Sequence, residues 1–104
     1  QKYSGDITCD KSSKVKLVLT EGSSYSGAFD AKGAAAYSKV YLSRNSAWNV
    51  TGDSHIDSLR NGDKKCRNIK SNGHTVYYDK NREANDWLGG KTLSLPGGGT
   101  LQPE

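Results

Sequence analysis

The chain has 104 residues, the size of one domain, and only 17 of them are Leu, Ile, Val or Phe, a share low enough to raise disorder. Its net charge is only +4 and it carries six Tyr and two Trp, more aromatic content than a disordered solvating chain holds; with abundant Gly, Ser, Thr and Asn this suits an all-β domain rich in turns. No apolar run approaches the roughly 20 residues that span a bilayer as a helix, and the lack of a G-x-G-x-x-G or P-loop string excludes a large nucleotide-cofactor fold.

In chain order, residues 1–13 read as an N-terminal cap and about 14–103 as the repeating part of a single domain, 1–104. Gln1 without a preceding Met points to a mature secreted chain whose signal segment has been removed. Asp6-Ile7-Thr8-Cys9 is a first strand-like segment. Cys9 and Cys66 are the only cysteines, and neither C-x-x-C nor H-x₃₋₅-H spacing accompanies them, so no metal site is expected. A Cys9–Cys66 disulfide is the expectation, worth about 4 kcal/mol for a loop of this length. Two free cysteines of a cytosolic protein are the alternative.

An internal repeat is the strongest signal. Leu17-Val18-Leu19-Thr20-Glu21-Gly22-Ser23-Ser24-Tyr25 matches Val40-Tyr41-Leu42-Ser43-Arg44-Asn45-Ser46-Ala47-Trp48 in type at an offset of 23 residues. Leu93 to Leu101 follows the same scheme, and Ile69 to Val76 is a weaker copy. The pattern describes a short strand with alternating inward side chains, a tight turn, then a second short strand. Gly22, Asn45, Asn72 and Gly98 fall at the turns, where left-handed backbone is cheapest for Gly and next for Asn. A period near 25 residues with short strands means a solenoid, and without helices in the repeat it predicts a short right-handed parallel β-helix. Its inward residues are Val15, Leu17 and Leu19; Val40, Leu42 and Trp48; Ile56 and Leu59; Ile69 and Val76; Leu93, Leu95 and Leu101. An antiparallel sandwich or barrel suits the same strand spacing. Only Asn81 to Leu88 offers one or two helical turns.

Further along, Asn49-Val50-Thr51 is an N-glycosylation triplet on Asn49. Arg60, Lys64, Lys65, Arg67 and Lys70 form a basic cluster tempered by Asp63, expected on an inter-rung loop and suited to a polyanion. Tyr25, Tyr37, Tyr41, Tyr77 and Tyr78 are available to stack on bases or sugar rings, with Tyr41 and one of Tyr77 or Tyr78 pointing outward. His55 and His74 are the only histidines. With a neighbouring cation they make an acid–base pair for phosphodiester cleavage, and Asp53 and Asp57 either orient His55 or form a carboxylate pair. Asp57, Asp79 and Asp86 match no calcium-loop pattern, and no cofactor is expected. Pro96, Pro103 and Gly97-Gly98-Gly99 discourage addition of another strand at the C-terminal end.

The strings Ser46-Ala47-Trp48-Asn49-Val50-Thr51-Gly52-Asp53-Ser54-His55-Ile56-Asp57-Ser58-Leu59, Asn68-Ile69-Lys70-Ser71-Asn72-Gly73-His74-Thr75-Val76-Tyr77-Tyr78-Asp79 and Leu88-Gly89-Gly90-Lys91-Thr92-Leu93-Ser94-Leu95-Pro96-Gly97-Gly98-Gly99-Thr100-Leu101-Gln102-Pro103 resemble rungs of autotransporter-passenger-like and adhesin-like right-handed β-helices. The resemblance covers roughly residues 13 to 103 and implies about four rungs. Two functions stay open. The first is a secreted or cell-surface binding or adhesion module for a polysaccharide or other anionic polymer, with Arg60, Lys64, Lys65, Arg67, Lys70, Tyr41 and Tyr77 as its contacts. The alternative is a small secreted hydrolase or ribonuclease-like toxin using His55, His74 and the basic loop. Exposed solenoid ends make a monomer or a weak homodimer the expected assembly.

Overall fold

The computed structural model describes residues 2–7, 11–12, 14–30 and 37–104. In chain order its strands are β1 (Lys2–Ser4), β2 (Lys14–Leu19), β3 (Ser24–Gly27), β4 (Tyr37–Leu42), β5 (Ala47–Val50), β6 (Ser54–Ile56), β7 (Ser58–Asn61), β8 (Ile69–Lys70) and β9 (Thr75–Tyr78). A 3-10 helix, Glu83–Leu88, and the hairpin strands β10 (Leu93–Ser94) and β11 (Thr100–Pro103) follow. The chain is a β-solenoid of about four turns. One face stacks β1-β3-β5-β8, a second β2-β4-β7, and a third β6-β9-β11-β10. The third face is extended upward by a parallel bridge between Ile7 and Phe29 and by the bond from the His55 N–H to the Phe29 carbonyl. Among the described strands only β10 and β11 pair antiparallel, so the sandwich alternative does not hold.

Alternation sets what lies inside. In β2 and β4 every second residue faces the interior, so Leu17 stacks on Val40 and Leu59, and Leu19 on Leu42 and Asn61. On the first face Tyr25, Trp48 and Ile69 form the inward stack. Trp48 also meets the edge of Phe29 with ring centroids 6.5 Å apart and donates its indole N–H to the Gly27 carbonyl. Most inward positions are filled once per turn by one apolar side chain, with Ser38 and Asn61 as buried polar members of their rows, so a low aliphatic content is enough for a continuous core. All thirteen residues expected inward lie in this core or pack against it, with Val15, Leu17 and Leu93 partly exposed.

The ends of the stack are finished by side chains and by a change of strand direction. Where a further strand would pair with β7, the 3-10 helix supplies Asn85 instead. Its Oδ1 accepts the Leu59 N–H at 2.8 Å, and its Nδ2 donates to the Asp57 and Asp79 carbonyls. Trp87 donates its indole N–H to the Leu59 carbonyl. A buried strand edge left open would carry several unpaired polar groups; one short helix satisfies them. On the third face the chain reverses through Leu95-Pro96-Gly97-Gly98, with Pro fixing the second residue and Gly97 supplying φ 93 for the third. β10 then covers β11.

Several expectations need correction. The 23-residue offset is the true register for Leu17 over Val40 and Tyr25 over Trp48, but the later copies are out of phase by one face. Ile69 pairs with Trp48, not with Val40, and Leu101 stacks on Val76. A three-sided coil repeats strand–turn–strand at each corner, so the motif alone does not say which corner it occupies. Asn45 is not among the positive-φ residues, whereas Gly22, Asn72 and Gly98 are. Tyr25 and Tyr78 are buried, not available for stacking.

The expected Cys9–Cys66 disulfide is not found, and Cys66 is a free buried thiol. Cys9 lies outside the described residues. Cys66 sits at φ 56 with its side chain in the core, and burial pushes its thiol up to about 11, so it stays protonated at neutral pH. The loop around it is held instead by hydrogen bonds described below. No helix among the described residues is long and apolar enough to cross a membrane.

Candidate functional site

The basic residues after β7 form an ordered surface because the loop is tied from within. Asn61, at an inward position, accepts the Asp63 N–H and exchanges side-chain bonds with Asn68. Asn68 reaches back a full turn to the Ser43 carbonyl. Asp63 then spends both carboxylate oxygens on the chain itself, Oδ1 on the Lys65 N–H at 3.0 Å and Oδ2 on the Arg67 N–H at 3.1 Å. The result is a fixed loop with the side chains of Lys64, Lys65 and Arg67 turned to solvent.

This loop and the turn of the preceding coil border a cleft of about 570 Å³ lined by Arg44, Asn45, Gly62, Asp63, Lys64, Lys65 and Arg67. The walls are close because residue 62 is glycine: a Cβ there would stand 2.7 Å from the Arg44 backbone nitrogen. Four cations therefore line the cleft, and its one carboxylate is already engaged by two backbone donors. Lys64 is held at the margin, its Nζ 4.7 Å from the centroid of the Trp87 ring.

Of the other expected contacts, Arg60 and Tyr41 are adjacent partners on β7 and β4, both exposed, next to the cleft on the β2-β4-β7 face. Lys70 is exposed but belongs to β8, on the β1-β3-β5-β8 face beside Asn49. Tyr77 lies on the third face, stacked at 4.9 Å on His55. Asn49 is half-buried on β5, its side-chain oxygen accepting from Asn72 and its amide donating to Ser26. The structure thus joins Arg60, Lys64, Lys65, Arg67 and Tyr41, and separates Lys70 and Tyr77 from them.

The two histidines do not converge. His55 is level with Tyr77, and its Nε2 lies 3.3 Å from a Glu104 carboxylate oxygen while Nδ1 meets the Asp30 carbonyl. His74 lies just before β9, three positions upstream of Tyr77, a step of about 10 Å at the usual rise per residue. It faces Asp53 at 3.7 Å. Asp53 also accepts the Thr75 N–H, and Asp57 is turned away to the Ser38 N–H at 2.7 Å. Each carboxylate fixes a corner, and no reacting atom would sit within reach of both imidazoles. Among the described residues no three His, Cys, Asp or Glu side chains gather as metal ligands.

Sequence reasoning missed Arg44. It stands opposite Asp63 only because β4 pairs with β7 from Val40 to Leu59, a shorter step than the 23-residue repeat that the first two rungs display. Comparison of the chain with family models, with curated proteins and with solved structures finds no match.

Proposed function

We propose that this protein is a binding module for an anionic polymer, gripped in the corner cleft by Arg44, Lys64, Lys65 and Arg67. The observation that carries this reading is the state of Asp63: the only carboxylate in the cleft is consumed by the loop's own N–H groups. Arg44, Lys65 and Arg67 are left to an outside partner, with Lys64 at the margin over Trp87. Such a site works through long-range attraction and exchangeable ion contacts, so its affinity must fall as salt rises. Adhesion at a cell surface fits the same chemistry, because anionic polysaccharides are displayed there; an extracellular site of action is part of the proposal.

The test is retention and cleavage scored together. Purified protein is passed at low salt over immobilised acidic polysaccharide and RNA, and each polymer is incubated with it and sized. The expected result is retention that weakens steeply with salt, survives His55→Ala, His74→Ala, and is lost in Arg44→Ser, Lys64→Ser, Lys65→Ser, Arg67→Ser, with no shortening of either polymer. Cleavage that disappears in the folded histidine variant would overturn the proposal in favour of a hydrolase.

A further inference from the structure

The outward side of the β2-β4-β7 sheet carries a second set of cations beside the cleft. Register places Lys14 beside Tyr37, Lys16 beside Lys39, and Val18 beside Tyr41 and Arg60. No Asp or Glu occupies an outward position on these three strands. Val18 and Tyr41 are 43% and 45% exposed, an apolar strip at the centre of a basic face. The acids at its rim are largely spoken for. Glu21 accepts from Asn45, and Asp79 pairs with Arg82 at 3.3 Å. Glu83 and Asp86 stand on the 3-10 helix beyond β7 and bound the face on that side.

We infer that this face is the platform for a polyuronate, an unbranched polysaccharide with one carboxylate per sugar, laid across the strands towards the cleft. A chain crossing the sheet meets Lys16 and Lys39, level with each other on β2 and β4, and reaches Arg60 obliquely, two positions further along β7 and level with Tyr41. Strands are about 4.8 Å apart, close to the length of one sugar in an extended pyranose chain, so Lys16 and Lys39 match two successive carboxylates of the ligand. Tyr41 beside Val18 offers the flat apolar patch against which the C–H face of a pyranose packs. A nucleic acid fits less well, because single strands need an open aromatic face for successive bases. Here Tyr37 is closed to a base: Arg82 lies over its ring at 4.9 Å, and its hydroxyl is bonded to Ser58 at 2.9 Å. Tyr41 is then the one open ring on the face.

This inference rests on the anionic-polymer reading and names its ligand class. It is tested by titrating the protein with polygalacturonate, with its methyl ester, and with single-stranded RNA. The variants are Lys16→Ser, Lys39→Ser; Tyr41→Ala; and a charge-matched control, Lys2→Ser, Lys91→Ser, each checked for the wild-type fold by circular dichroism. The double face variant is expected to bind polygalacturonate at least about tenfold more weakly, with the slope of log affinity against log salt reduced by roughly one to two. Tyr41→Ala should lose about fivefold, the control should stay within about twofold of wild type, and the methyl ester should not bind. Unchanged affinity in the face variant, or equal binding of the methyl ester, would overturn the polyuronate platform. So would tighter binding of RNA than of polygalacturonate, while leaving the anionic-polymer proposal standing. Failure of every polyanion to bind at low salt would remove both.

Discussion

Tyr25 shows how much one side chain can do in a thin core. Its ring stacks on Trp48 with centroids 6.4 Å apart, and its hydroxyl donates to the Gly5 carbonyl at 2.6 Å, with the Ala28 carbonyl at 3.2 Å also within reach. It thereby ties the first turn to the second. Burial, reinforced by the nearby Asp6 carboxylate, pushes its phenol up to about 12. Its folded value lies above the ordinary value near 10, so the unfolded chain gives up this proton first. The contribution is fully present below pH 10 and is lost as the pH rises from 10 towards 12. Tyr25→Phe should cost about 1 kcal/mol at pH 7, where a hydrogen bond is lost. Its denaturation midpoint should fall less steeply than that of the wild type between pH 10 and 12. Urea titrations at those pH values check both parts.

At the scale of elements, the 3-10 helix does the work of a missing strand. Asn85→Ala would leave the Leu59 N–H and the Asp57 and Asp79 carbonyls without the partners that Asn85 gives them, at a cost of about 2–3 kcal/mol. Asn85→Asp, which puts a carboxylate against two carbonyls, should lose at least as much. Thermal unfolding of the two variants tests this, and a loss below about 0.5 kcal/mol in the alanine variant would show that the helix does not close the edge. This helix was legible from Asn81 to Leu88 as a turn or two, but its task was not, since capping depends on which strand lies beneath it. The first two rungs were legible down to their register, because Leu17 and Val40, and Tyr25 and Trp48, occupy equivalent corners. The phase of the later rungs was hidden. Turns between faces shorten and lengthen, from the tight corner between Ile56 and Ser58 to the long basic loop after Asn61, and no local pattern counts those insertions.

Across the whole molecule, charge is sorted by face, and that sorting was only half visible in sequence. The run from Arg60 to Lys70 stood out because its cations are neighbours in the chain, although the coil then sends Lys70 to a different face. Arg44, Lys16 and Lys39 escaped notice as a group because they come from different turns and meet only through strand register. The histidines misled in the opposite way. Their spacing near one turn suggested stacking, yet in this turn His55 pairs with Tyr77, so His74 falls three positions out of register, and each histidine has its own carboxylate. Cys66, expected in a disulfide, is a free thiol turned into the core, in a loop that Asn61, Asp63 and Asn68 hold by hydrogen bonds.

On the proposed function the partner binds on the side formed by the β2-β4-β7 face and the corner cleft. The most direct measurement is an amide chemical-shift titration of the isotope-labelled protein with a short oligogalacturonate at low salt. Shifts are expected in residues 14–18, 37–45 and 58–67, reversed by added salt, with little change around His55, His74 and Tyr77. Shifts centred on Asp53 to Asp57 and His74 to Tyr77, with the basic side unmoved, would contradict it.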